Sequence, residues 1–168
     1  MSTDPATLDS TTREARIAAN LAAVEHHFHN ETPEGIDLAV AEYTDDIVWE
    51  VPARGLVLRD KEAVKQEYLG MFSSMQVHRM TQLHRFATEE WVFDDSIFEF
   101  TIVGDGIRNC PFPKGTTVSV RITHAFQCRD GKICRENGYE IWREIDDEVR
   151  VNDDVPETAT SEAVSYTH

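Results

Sequence analysis

Residues 118–128, Val-Ser-Val-Arg-Ile-Thr-His-Ala-Phe-Gln-Cys, constrain the fold more than any other stretch of the chain. Val118, Val120, Ile122, Phe126 and Cys128 share one parity with His124, while Ser119, Arg121, Thr123, Ala125 and Gln127 hold the other. A period of two marks a strand with one buried face. Arg129-Asp130-Gly131-Lys132 then turns the chain back through 133–142, giving an antiparallel partner rich in ionisable groups. The core therefore contains a sheet, and an imidazole points to its apolar side. Titratable groups aimed inward serve chemistry or a structural polar pair.

The preceding half of the chain is helical in pattern. Thr11-Thr12-Arg13-Glu14 fits a capping box, and Ile17, Leu21, Val24 and Phe28 recur at steps of four, three and four, predicting an amphipathic helix to about His29. Thr32-Pro33 starts a second, short helix to about Tyr43, burying Ile36 and Val40. Ile47–Pro52 reads as a strand, and Asp60 caps a third helix with Val64, Tyr68, Met71 and Met75 on its buried stripe. From Val77 the pattern alternates again, with Met80, Gln82, His84 and Phe86 on one face; Asp94-Asp95-Ser96 reads as a turn into a strand over 97–103. Residues 1–10 are expected to form a flexible leader, 11–145 one domain, and 146–168, with seven acids and one base, a disordered tail. Helices segregated from a run of strands predict an α+β fold.

Charge narrows the partners. With 31 acidic residues against 16 basic ones, the net charge of −15 disfavours phosphate backbones and anionic lipid surfaces, so neither nucleic acid nor membrane is an expected partner. No run of about 18 apolar residues exists, and the polar N-terminus lacks a signal-peptide pattern. Cys110, Cys128 and Cys134 are odd in number and lack metal-ligand spacing, which fits reduced thiols in a cytoplasm. No phosphate loop, nucleophile elbow or dinucleotide fingerprint occurs, and no cofactor is expected.

Tyr43-Thr-Asp-Asp-Ile-Val-Trp-Glu-Val-Pro, then Leu58-Arg-Asp-Lys-Glu-Ala-Val, then Arg-Asp-Gly-Lys-Ile at 129–133 resemble the SnoaL-like branch of the nuclear-transport-factor-2-like superfamily, over roughly residues 13–143. The resemblance implies a cone of curved, mostly antiparallel sheet covered by three helices from the N-terminal half around one pocket, commonly in homodimers. That superfamily includes polyketide cyclases, ketosteroid isomerases, epoxide hydrolases, dehydratases and non-catalytic binders, so fold alone does not give function. The isomerases' aspartate base falls on Val51 here, and their oxyanion-hole acid on His124. The epoxide hydrolases' triad falls on Phe98, Phe100 and Gly138, and is missing. The dehydratases' two histidines match His84 and His124 loosely.

The turn at 129–132 decides which residues of the last strand face the pocket. A two-residue turn sets His124 opposite Asn137, with Tyr139 inward; a three-residue loop with a bulge sets it opposite Glu136, with Glu140 and Trp142 on the same face. The resemblance favours the bulged register, and the expected catalytic set is His124 as acid/base, Glu136 as its orienting partner and His84 as a second donor. Trp49, Val51, Tyr68, Met80, Phe98, Phe100, Ile122, Phe126 and Glu140 are expected to line a pocket for a small hydrophobic molecule. His26, His27 and His29 are read as helix-surface residues because they project in different directions. A metal held by His84, His124 and Glu136 is possible in ligand type, but spacing does not support it, and none is expected. Two functions remain: a cofactor-free lyase or isomerase (dehydration, isomerisation or cyclisation), or a non-catalytic binding or dimeric scaffold protein of the same fold.

Overall fold

A computed structural model describes residues 5–145, with side chains from Thr12 onward. Helix α1 spans Pro5–His29 and α2 Ile36–Ala41; β1 (Tyr43–Val51) and the short β2 (Leu56–Leu58) precede α3 (Lys61–Ser74). Four long strands follow: β3 (Met75–Ala87), β4 (Trp91–Ile102), β5 (Thr117–Arg129) and β6 (Lys132–Glu144). They form one six-stranded sheet in the order β2-β1-β6-β5-β4-β3. Every pairing is antiparallel except β1 with β6, so the sheet is mixed. Among the described residues no helix is long and apolar enough to cross a membrane.

Local sequence accounts for most of these boundaries. Asp60 caps α3 as expected, accepting from the Glu62 and Ala63 amides at 2.8 and 3.0 Å. α1 begins at Pro5, so the predicted cap at Thr11 lies inside the helix, and residues 5–10 belong to its first turns. Proline at a first turn lacks only an amide that the helix leaves unpaired anyway. The predicted acidic tail lies outside the described residues. Asp94-Asp95-Ser96 is not a turn but the middle of β4; the reversal falls at Thr88, whose hydroxyl accepts from the Trp91 amide at 3.0 Å.

Helices α1 and α3 cover the inner sheet face. Val24, Tyr43, Ile47, Trp49, Val64, Tyr68, Val92, Phe126 and Ile133 form the main core, each large side chain contributing roughly 1.5–3 kcal/mol by burial. Phe100, Ile102, Ile107, Val118 and Val120 form a second cluster toward the far end of the sheet. The 104–107 loop presses against α3: a Cβ on Gly70 would stand 2.7 Å from the Gly106 carbonyl oxygen, so glycine permits the contact that seats Ile107.

The last hairpin combines features of both predicted registers. Asp130 and Gly131 have φ of 54° and 73°, the left-handed pair of a two-residue turn. Cys134 then forms a bulge, because Cys128 pairs with Ile133 but Gln127 pairs with Arg135. That extra residue returns Glu136, Gly138, Glu140 and Trp142 to the inner face. His124 pairs with Gly138, not with Glu136, which lies opposite Phe126.

Candidate active site

Between the inner sheet face and helices α1 and α3 lies a cavity of about 460 Å³. That volume suits a small organic molecule. Trp49 and Val51 of β1, Tyr68 of α3, Phe98 and Phe100 of β4 and Ile122 of β5 line it, with Met80 at the exposed rim on edge strand β3. On Gly138 a Cβ would sit 3.4 Å from Val51 Cγ2 and 3.5 Å from Ile122 Cδ1, so the missing side chain helps to keep the cavity open. Phe126 is a core residue behind the wall, its ring stacked 5.4 Å from that of His124 and edge-on to Phe28.

Three polar clusters interrupt the apolar lining. At the α1 end, Glu136 is buried and accepts hydrogen bonds from two phenols: Tyr68 Oη donates to Oε1 at 2.9 Å, and Tyr43 Oη donates to Oε2. His27 Nε2 lies 3.5 Å from Glu136 Oε2 and 2.9 Å from Glu31 Oε1. The His27 ring is fully buried, which corrects its placement on the helix surface. The signal was present: Val24, His27, Phe28 and Glu31 follow the i, i+3, i+4, i+7 pattern, and a buried stripe is wider than one line of residues. His26 and His29 are exposed, as expected. Burial disfavours the His27 cation, but the carboxylates of Glu31 and Glu136 outweigh that and push its pKa up to about 9. Burial and the Glu136 charge raise both tyrosines well above their ordinary value.

The second cluster holds His124. Its Nδ1 is buried without a hydrogen-bond partner and lies 3.9 Å from Asp94 Oδ2. Asp94 is fixed by Arg85 Nε at 2.7 Å and by the Ser96 hydroxyl at 2.7 Å, and burial is outweighed by these donors and His124, so its pKa is lowered. The carboxylates of Asp94, Glu136 and Glu31 likewise overcome desolvation of His124 and raise its pKa above 6.5. Asp94, not Glu136, is thus the residue facing His124. Asp94 shares the parity of Ser96, Phe98 and Phe100; reading it as a turn concealed this.

The third cluster closes the opposite end. Arg54 is buried in the turn after β1 and donates from Nε to Glu140 at 3.1 Å and from a terminal nitrogen to Glu67 at 3.1 Å. Arg108 Nε donates to Glu67, and Trp142 Nε1 donates to Glu140 at 2.8 Å. His84 joins none of these clusters. A bulge between Gln82 and His84 reverses the strand's parity, so His84 faces outward, its side chain 73% exposed and 3.8 Å from Asp95. The predicted donor pair of His84 and His124 is therefore not assembled, and neither is a metal site joining them to Glu136.

A family model for the SnoaL-like domain matches residues 22–136. The chain belongs to the SnoaL-like family. No curated protein matches it. Among solved structures it resembles an LEH-like epoxide hydrolase from M. tuberculosis, 17% identical over 74% of this chain and 84% of that one, with a TM-score of 0.57. It also resembles a protein of ketosteroid isomerase-like fold from Catenulispora acidiphila, solved with trimethylamine (15% identity, 70% and 83% coverage, TM-score 0.56). A phenazine biosynthesis-related protein from Pseudomonas aeruginosa is similar at 11% identity, 76% and 82% coverage and a TM-score of 0.59. At these identities the likeness shows the fold alone: this SnoaL-like chain has the nuclear-transport-factor-2-like architecture.

Proposed function

We propose that the chain is an acid/base enzyme acting on a small, largely apolar molecule held in the cavity, by dehydration, isomerisation or aldol-type cyclisation. His124 takes and returns the proton, and Asp94, itself held by Arg85 and Ser96, orients the ring and stabilises its cation. The supporting observation is the buried, unpartnered Nδ1 of His124 facing that carboxylate from the wall of an apolar cavity. A low-dielectric surrounding strengthens such charge interactions, and the aromatic walls orient the substrate. Glu136, tied to two phenols, and Glu140, tied to Arg54, serve as fixed anions at the two ends rather than as partners of His124.

The rival reading is a binding protein with the same cavity. Val51 favours it, because an inert side chain lines the wall where the related isomerases carry their base. In either case a homodimer is expected through the outer sheet face, where Tyr139 and Ile141 are 48% and 57% exposed. Substitution of His124 by Gln keeps one hydrogen-bonding group but cannot shuttle a proton. Against a panel of hydroxy-ketone, enone and poly-β-ketone substrates, H124Q is expected to lose about 10²–10⁴-fold of the rate while retaining ligand affinity. Undiminished turnover in H124Q would remove His124 from the chemistry, and no turnover by the wild type with tight binding would favour the rival.

A further inference from the structure

We propose that His27, Glu31 and Glu136 form a binding site for one divalent transition-metal ion of the zinc or manganese class. Each offers one ligand atom, and these three atoms all lie within 4.8 Å of one another. His27 Nε2 stands 2.9 Å from Glu31 Oε1 and 3.5 Å from Glu136 Oε2. Donors around an ion bound at ~2.0–2.2 Å stand roughly 3–4 Å apart, so the two distances from His27 Nε2 fit a shared ion.

Three further observations point the same way. The Ala39 carbonyl lies 3.1 Å from His27 Nδ1, so Nδ1 carries the hydrogen and Nε2 is the atom turned to the carboxylates. A backbone carbonyl on the far nitrogen is the usual device that fixes the tautomer of a metal-binding histidine. Secondly, the charges do not balance without a cation. Among the described residues no lysine or arginine pairs with Glu31 or Glu136; His27 alone does. Even a protonated ring leaves two carboxylates against one positive charge, next to the rings of Phe28 and Phe126 at 5.9 and 6.0 Å. A divalent ion with a neutral imidazole brings the sum to zero. Thirdly, His27 stands on α1 and Glu136 on β6, while Glu31 lies four residues after His27, just beyond the end of α1. The Tyr43 and Tyr68 hydroxyls hold the Glu136 carboxylate and also reach the other two ligand atoms, Tyr43 Oη lying 3.3 Å from His27 Nε2 and Tyr68 Oη donating to Glu31 Oε1 at 3.4 Å.

One nitrogen and two carboxylate ligands leave coordination positions open. Glu31 and Glu136 both line the cavity, so those positions face the space where an oxygen-bearing ligand would sit. This departs from the expectation, made on spacing, that no metal is bound. The site rests on residues other than His124, so the two proposals stand or fall separately.

The test uses the full chain, stripped with chelator, titrated calorimetrically with Zn²⁺ and Mn²⁺ and then desalted for elemental analysis. Co²⁺ provides a visible d–d signature of the ligand set. One ion per chain is expected. Glu31→Gln, at a half-buried position that tolerates change, should weaken binding about 100-fold, and Tyr68→Phe about 10-fold. His84→Ala, which alters an exposed histidine, and H124Q should bind as the wild type does. Less than one retained ion per chain, or equal binding by E31Q and wild type, overturns the site. Loss of turnover in H124Q with the ion retained speaks to the acid/base reading alone.

Discussion

Glu136 and Glu140 occupy the inner face of the same strand, and each lies at a cluster with a second carboxylate, yet their counter-charges differ in kind. Glu140 and Glu67 face two guanidinium groups, Arg54 and Arg108. Arginine stays charged at every physiological pH and donates in a fixed fork, so that end of the cavity is balanced permanently. Glu136 and Glu31 face one imidazole and two phenols, groups whose charge depends on protons or on a bound ion. Between them His124 and Asp94 stand 3.9 Å apart without a direct hydrogen bond. Saturated pairing closes one end of the cavity, and incomplete pairing lies where the proposed acid/base chemistry would have room.

The sharpest test of this contrast removes the permanent counter-charge. Arg54→Met leaves Glu140 without a cation and Glu67 with Arg108 only, and should cost about 3–5 kcal/mol in urea denaturation. A loss under about 1 kcal/mol would show that Glu140 and Glu67 remain solvated. Tyr68→Phe removes one neutral donor from a buried carboxylate and should cost about 1.5–3 kcal/mol in the same assay. Equal losses for the two variants would erase the distinction between the ends.

A pH series then isolates the middle cluster. The folded pKa of His124 lies above 6.5, so its protonation contributes stability that is complete below pH 6.5 and is lost as pH rises through the folded value. H124Q should lack that part of the decline, and parallel stability curves for the two proteins would mean His124 and Asp94 do not interact. The smallest effect belongs to His84→Ala. An exposed ring on the outer face should change stability by no more than about 0.5 kcal/mol and leave cavity binding untouched.

What could be read before folding was periodicity. The alternation of 118–128, the cap at Asp60 and the stripe Val64-Tyr68-Met71 identify which faces are buried, because a side chain's direction follows from position along a regular element. The same rule failed for His84, while the bulged register favoured for the last strand did bring Glu136 and Glu140 inward. One bulge turned His84 outward and another, at Cys134, kept Glu136 and Glu140 inward after a two-residue turn; a bulge has no reliable signature in composition. His27 was missed because a polar residue on the edge of an apolar stripe looks solvent-facing until its partners are known.

By itself, then, the order of residues determined the α+β architecture, the inner faces of β1 and β5 and a cavity with His124 in its wall. Only tertiary structure decided the partners. Arg54 meets Glu140, 86 residues away, and Tyr43 meets Glu136, 93 residues away. Such pairings cost nothing to leave unspecified in a local pattern, because their energy arises only when the sheet curves and water is expelled from between the charges.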